Sequence, residues 1–583
     1  MNINLAKKFF LDGLEAFATS KYLEAEMLFN KSLDFAPGRL STLINLCATL
    51  IKLKRFTEAE NLALTVIQHD QYSSLAWLNL GLARYEKGKL KESLIAYDES
   101  IKINNLDAEA WVNKGITLDD LMHYEEAIAS FDKAIEIRPE FAEAWSNRAS
   151  TLGLICRIRP ALASFREAIR LAPDDLIAHS SFLFHQNYLE SLSPAYALSE
   201  AKLYGKKVSE KSIPKFTKWI VASTPKKLRI GFVSGDLSNH PVGYFLEGLL
   251  ENIDSSKFEL YSFPTRSFED DLTKRIQPFF KEWSPLFGIS DLDAATLINQ
   301  KGVHILIDLS GHTAHNRLPV FSYKPAPIQV SWLGYFATTG IPEIDYFLGD
   351  PNMSPASEGN NFTETLWNLS ETWLSSKPPN FEIQVSALPA KKNGFVTFGS
   401  FGNLSKMNEV VVKTWSSVLD QVPKSKLFLK SKQFGDFEQI ELVMKRFEKF
   451  NIYSDRLIIE GPDSRLTYYE TYNKVDLIFD TFPYPGGTTS MDALWMGVPV
   501  LTLKGDRFLS RLGESIAINS GNPDWIAQGI DDYVNKAVKF ATDLELLGQL
   551  RSNLRKRVLS SPLFDTSRFA KNFEDALWNM WHQ

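Results

Sequence analysis

One period governs the first third of the chain and limits what it can fold into. Phe9, Leu43, Trp77, Trp111 and Trp145 follow one another at intervals of 34 residues. Four positions after each anchor stand Gly13, Cys47, Gly81, Gly115 and Ala149, all small. Sixteen positions after it stand Ala25, Ala59, Ser93, Ala127 and Ala161, again small. Phe29, Ala63, Tyr97, Phe131 and Phe165 come at twenty, and Pro37, Gln71, Asn105, Pro139 and Pro173 at twenty-eight. Small residues in fixed phase let two helices approach closely. An aromatic side chain fills the space between helix pairs, and proline ends the second helix. Such units bury a continuous core only when stacked, so the pattern predicts an array of helical pairs.

A helix–turn–helix unit of 34 residues is the tetratricopeptide repeat. Residues 1–178 are therefore expected to form an α superhelix of five units from Phe9. Asn45, Asn79, Asn113 and Asn147 stand two residues after the anchors, with Leu11 breaking the series. Asn is unfavourable inside a helix, so a row in one phase has two readings. One is plain recurrence of a repeat consensus. The other is an amide ladder on the concave side that bonds the backbone of a bound polypeptide, since an amide offers two donors and an acceptor.

Composition narrows the function classes. A net charge of −6 over 583 residues gives no reason to expect nucleic acid or an anionic membrane as partner. The two cysteines, Cys47 and Cys156, are far apart, which argues against a disulfide framework or structural zinc and for a reducing, cytoplasmic setting. The start, MNINLAKKFFLDGLEAF, lacks the apolar core of a signal peptide, and no run is apolar enough to span a membrane.

After residue 178 the repeat phase is lost. Residues 179–225 read as a helical connector, in which His179 and His185 are core or surface residues. From Leu228 the texture changes to short apolar runs alternating with helical segments: LRIGFVSGD, FELYSF and VHILIDLSG, then, after a restart near 390, GFVTFGS, KLFLKSK, RLIIEG, VDLIFDTF and VPVLTL. Alternation of this kind predicts parallel, doubly wound sheets. The expected layout is a Rossmann-like half over 226–390, a second over 391–565, a ligand cleft between them, and a closing helix over 566–583.

In the second half, DTFPYPGGTTSMDALWMGVP (480–499) places two glycines and two threonines at a helix entrance. Glycines permit close backbone approach to a ligand, and a helix N-terminus favours an anion. Ordinary turn and capping chemistry would use the same residues. Together with SGDLSNHPVGY (234–244), VHILIDLSGHT (303–313), PAPIQVSWLGY (325–335) and FGNLSKMN (401–408), this stretch resembles the O-GlcNAc transferase/Spindly family of protein O-glycosyltransferases. Repeats preceding the catalytic half are that family's architecture too.

The resemblance implies a GT-B fold and inverting transfer of a sugar from a nucleotide sugar to Ser/Thr of acceptor proteins held by the repeat groove, with no metal or other cofactor. Self-association through the repeats is a further expectation. It implies that Thr488 and Thr489 hold the donor diphosphate, Asp492 the ribose, and Lys406 the diphosphate as charge builds on the leaving group. His240 would lie at the reaction centre as base, and His304, Asn403 and Tyr468 on the donor. His312, Arg317, Lys430 and Lys432 are further cleft candidates. Two departures stand out. Asn403 and Tyr468 replace the Gln and His common in O-GlcNAc transferases. Asn299-Gln300-Lys301-Gly302 offers no carboxylate where relatives often carry one before the HIL segment. The donor is read as UDP-GlcNAc, with GDP-fucose in Spindly fashion, or a non-catalytic repeat scaffold, as the alternatives.

Overall fold

The computed structural model describes residues 2–583, and these divide into two compact units. The first comprises residues up to 155 together with 163–173, and the second 156–162 with 174–583.

The first unit is built from helical pairs: Ile3–Ala18 with Tyr22–Phe35, Leu40–Lys52 with Phe56–His69, Ser74–Glu86 with Leu90–Ile103, and Ala108–Asp120 with Tyr124–Ile137. Ala142–Leu154 opens a fifth pair, whose second helix, Ile158–Leu171, is shared between the units. The repeat pattern has a direct steric cause. A Cβ on Gly13 would lie 2.7 Å from the Phe29 ring, and one on Gly81 or Gly115 would strike Tyr97 or Phe131. The small residue of one helix is thus the seat of the aromatic sixteen positions later. The anchors act by hydrogen bonding as well as burial. The indole N–H groups of Trp77, Trp111 and Trp145 donate to the carbonyls of Gln71, Asn105 and Pro139 at 3.0, 3.0 and 2.9 Å. Each thereby pins the turn between successive pairs.

The second unit contains the connector helices Leu176–His185 and Pro194–Lys211 and two parallel sheets. Its first sheet consists of β1 (Leu228–Ser234), β2 (Phe258–Pro264), β3 (Glu282–Trp283), β4 (Ile305–Asp308), β5 (Ile328–Ser331), β6 (Tyr346–Gly349) and β7 (Thr365–Asn368), in the order β3-β2-β1-β4-β5-β6-β7. The second consists of β8 (Thr397–Phe401), β9 (Lys426–Lys430), β10 (Leu457–Glu460), β11 (Leu477–Phe479), β12 (Val500–Leu503) and β13 (Ile526–Ala527), in the order β10-β9-β8-β11-β12-β13. Both run outward from their first strand and then reverse, which is the doubly wound arrangement with a switch point beside that strand. The strands are nearly all buried runs with helices on their faces, as parallel pairing requires.

The helix Thr566–His582 belongs physically to the first sheet. Phe573 lies 4.8 Å from the Trp332 ring, Trp578 meets Phe258, and Glu574 accepts the Asp254 N–H at 2.6 Å.

Candidate active site

In doubly wound sheets, ligands bind beyond the carboxyl ends of the strands at the switch point. In the second half that point lies between β8 and β11. The loop after β8 carries Asn403 and Lys406, and the loop after β11 runs from Asp480 to Gly487. Asn408 joins them, donating through Nδ2 to the Phe482 carbonyl at 2.7 Å.

Lys406 Nζ donates to the Pro485 carbonyl at 2.9 Å and stands 3.9 Å from the centre of the Tyr484 ring. Burial pushes its pKa down to about 8, opposed by the Asp480 carboxylate. Asp480 shapes the loop, accepting from Gly486 N–H at 2.6 Å and Thr502 Oγ1 at 3.0 Å. Burial raises its pKa to about 6. A Cβ on Gly486 would collide with Thr489 Oγ1 and Ser490 Oγ, so only glycine lets the turn close onto the next helix.

That helix, Thr488–Trp495, begins at Gly487 with no side-chain cap. Its first internal bond runs from Met491 N–H to Gly487 O. Among the described residues nothing accepts from the N–H groups of Thr488 and Thr489, so two backbone donors and two hydroxyls stand together at the positive end of the helix dipole. Asp492, one turn on, is buried and accepts the Tyr469 hydroxyl at 2.6 Å; burial raises its pKa to about 6. Tyr468 bonds Tyr472 hydroxyl to hydroxyl at 2.8 Å, and Tyr472 donates to the Thr489 carbonyl at 3.0 Å. The helix Arg465–Thr471 therefore braces the uncapped helix start from the side, and Tyr468 is half-buried at its edge.

Asn403 is a strut. Its Oδ1 accepts from Ser405 N–H at 2.9 Å and from Gln433 Nε2 at 2.7 Å, fixing the turn that presents Lys406. Only its Nδ2 group remains for a ligand.

His240 follows β1 at the first half's switch point and caps the helix Pro241–Asn252. Nδ1 accepts from Val242 N–H at 3.4 Å and lies 3.7 Å from Asp236 Oδ2, with 43% of the side chain exposed. Burial lowers its pKa, Asp236 opposes this, and Lys432 and Arg266 add to it. The charge of Lys432, from the second half, thus reaches His240 of the first. Arg465 likewise stacks on Tyr244 at 3.7 Å, and Phe336 of the first half meets Tyr484 at 5.3 Å. The carboxyl ends of both sheets thus look into one cleft.

Five expectations are corrected. His304 precedes β4 and sits at the amino end of the sheet, away from the cleft. Its Nδ1 accepts from Arg229 N–H at 3.0 Å, and its ring packs 4.9 Å from Trp581. Burial lowers its pKa to about 4, so it is a neutral core histidine. The segment Asn299-Gln300-Lys301 lies at the same end, with Asn299 Nδ2 bonded to the carbonyls of Lys218 and Pro325, so its lack of a carboxylate removes nothing from the cleft. His312 is buried between Ser180 Oγ and the Thr339 carbonyl, each at 2.9 Å. Arg317 binds Asp291 and the Leu286 carbonyl, and Lys430 is buried against Glu460 and Asp463. His179, packed on Tyr204, and His185, bonded to Ser181 O, are core residues as expected.

In the repeats the asparagines differ from one another. Asn45 and Asn113 donate to the carbonyls of Ser41 and Glu109 in their own helices, both at 2.8 Å. Asn79 donates to Ile44 O of the preceding pair at 3.1 Å and is buried. Asn147 is half-buried. Sequence reasoning passed over Asp480, Tyr484, Arg465 and Asp236. Asp480 and Asp236 had a signal, an acidic residue just past an apolar strand, where a loop over a ligand site begins.

A cleft between two doubly wound halves, with an open helix N-terminus and a lysine at the switch point, is the architecture of nucleotide-sugar transferases of two Rossmann-like domains. The family model for glycosyl transferase family 41 matches residues 179–378 and 384–573, and tetratricopeptide repeat models match 49–108 and 108–141. The chain belongs to glycosyl transferase family 41. A variant of the O-GlcNAc transferase of Thermobaculum terrenum superposes with a TM-score of 0.80 at 30% identity, covering 87% of this chain and 97% of that one. The probable UDP-N-acetylglucosamine–peptide N-acetylglucosaminyltransferase SPINDLY of Solanum lycopersicum is 33% identical over 383 residues, 64% of this chain and 41% of that protein. The SEC protein of Arabidopsis thaliana, named for the same activity, is 30% identical over 373 residues, 61% of this chain and 37% of that protein. The chain thus aligns with about two fifths of the length of these curated relatives. No helix among the described residues is long and apolar enough to cross a membrane.

Proposed function

We propose that the chain is an inverting protein O-glycosyltransferase that moves N-acetylglucosamine from UDP-GlcNAc to Ser/Thr hydroxyls of polypeptides. The observation that carries the reading is the pairing of Lys406 with the uncapped start of the helix Thr488–Trp495. Fixed N–H groups, two hydroxyls and an ammonium form a receptor for a diphosphate. Asp492, one turn deeper and held by Tyr469, suits ribose hydroxyls rather than phosphate. The names of the relatives supply the uridine nucleotide and the sugar. Transfer proceeds without a metal: charge growing on the departing diphosphate meets Lys406 and the helix N-terminus. The acceptor oxygen attacks C1 from the opposite face, and His240 takes its proton. Acceptor chains bind the repeats, where Asn45 and Asn113 each keep an amide hydrogen and a carbonyl oxygen for a polypeptide backbone.

The test is transfer of radiolabelled sugar from UDP-GlcNAc and from GDP-fucose to a Ser/Thr peptide array. It is accompanied by thermal shifts with UDP, GDP and CMP. UDP alone should raise the melting temperature, and only UDP-GlcNAc should label peptides. Lys406→Ala should lower transfer by about 100- to 1,000-fold with the fold intact. Labelling from GDP-fucose alone would replace the donor, and no transfer from any donor would leave a repeat scaffold.

A further inference from the structure

The imidazole of His240 is presented in the wrong tautomer for a base. Val242 N–H points at Nδ1, 3.4 Å away, so the resting ring accepts there and carries its proton on Nε2. With Nδ1 turned toward the backbone and Asp236, Nε2 is the ring nitrogen left for an acceptor hydroxyl on this part-exposed side chain. In this state Nε2 is a donor and takes no proton. Proton uptake at Nε2 needs the other tautomer, with the hydrogen on Nδ1 and a group to receive it.

Asp236 is that group. Its Oδ2 stands 3.7 Å from Nδ1, a gap that a small rotation of the ring closes. The residue is 8% exposed, and its own N–H is tied to Ser234 Oγ at 2.9 Å, which anchors the loop directly on β1. No hydrogen bond from another side chain competes for its carboxylate among the described residues. The charged groups acting on the pair are Arg266, His315 and Lys432. Asp270 and Asp271, at the start of the helix Asp271–Ile276, are occupied by the Asn239 N–H and side chain.

We propose that Asp236 is the positioning residue of the reaction: it draws the Nδ1 proton away from the capping arrangement and turns Nε2 of His240 into the proton acceptor. This rests on the transferase reading above. In the step, the Ser/Thr Oγ–H bond breaks and its proton goes to Nε2. The Oγ–C1 bond forms as C1–O to the diphosphate breaks, and the electron pair leaves with the nucleotide. The imidazolium is left beside the Asp236 carboxylate, and it returns its proton to water. When Nδ1 loses its lone pair to a proton, the Val242 cap is released, so base formation and the start of the Pro241–Asn252 helix are linked.

The experiment compares wild type, Asp236→Asn and Asp236→Glu in peptide transfer across pH 5.5–9, with UDP binding as the control for folding. Asparagine keeps the size but not the charge. Its kcat should fall about 100-fold with donor KM unchanged. Because Asp236 raises the His240 pKa, its loss should also move the acid limb of the rate profile to lower pH. Glutamate should restore part of the rate. A variant that binds UDP and matches wild type in kcat and in profile overturns the assignment. So does a loss of rate with no movement of the acid limb. If wild type labels no peptide from any donor, the transferase reading itself fails, which is a different result.

Discussion

Lys406 is pulled in two directions, since burial favours its neutral form and Asp480 its charged form. The outcome is a lysine pushed down to about 8. An ammonium that grips a diphosphate loses its grip when it loses its proton, so affinity for UDP should fall as pH rises through about 8. Between pH 7 and 9 the expected loss is about tenfold, readable by calorimetric titration. Lys406→Ala should bind weakly with no such slope. At this scale the sequence was enough to bring Lys406, Thr488, Thr489 and Asp492 to one place, because a helix entrance and its glycines are local. It misplaced His304 because a strand read alone has no marked ends. Once β4 is paired with β1, His304 falls beside Arg229 at the amino end, away from the cleft. The bracing role of Asn403 was hidden for a different reason: its Oδ1 is tied up by Gln433, thirty residues away.

Each completed turn inside a helical pair is left-handed. Ser20, Lys54, Gly88, Met122 and Cys156 have φ between 60° and 72° and recur at the repeat period. Glycine fills only one of these positions, so the chain carries strain that composition did not reveal. The φ of a non-glycine residue there costs about 1–2 kcal/mol. Lys54→Gly should therefore stabilise the repeats by about 0.5–1 kcal/mol, seen as a higher urea midpoint. Gly115→Ala should do the opposite, by about 1–3 kcal/mol, since its methyl meets the Phe131 ring. The repeat period itself was legible because it is written in side-chain volume. The backbone torsions were not, because Lys and Met say nothing about φ. Glu60 is a second element-level device. It gathers Arg84, Lys87 and Lys89, which hold its pKa down to about 2. A lowered carboxylate stabilises the fold above its unfolded pKa and ceases to as pH falls toward its folded value. Glu60→Gln should lower the melting temperature at pH 7, and the gap to wild type should narrow below about pH 4.5.

Across the molecule, the repeat array followed from the 34-residue period and the two doubly wound sheets from alternating apolar runs, while the order of the strands came only with the structure. The placement of the helix Thr566–His582 did not, because its amphipathic stripe could cover any apolar face. The structure seats it on the first sheet, over Trp332 and Phe258. Ending the chain at Asp565 should therefore damage the half that is distant in sequence. Soluble yield and the melting temperature of the catalytic unit should both collapse, while the helical signal of the repeats survives. The same seating sets a schedule for synthesis. Trp332 leaves the ribosome about 240 residues before Phe573 arrives to cover it, roughly ten to fifty seconds at ordinary elongation rates. During that interval the first sheet waits with a wall missing, so the newborn chain is a natural client for a chaperone that shields aromatic surface until the last helix emerges.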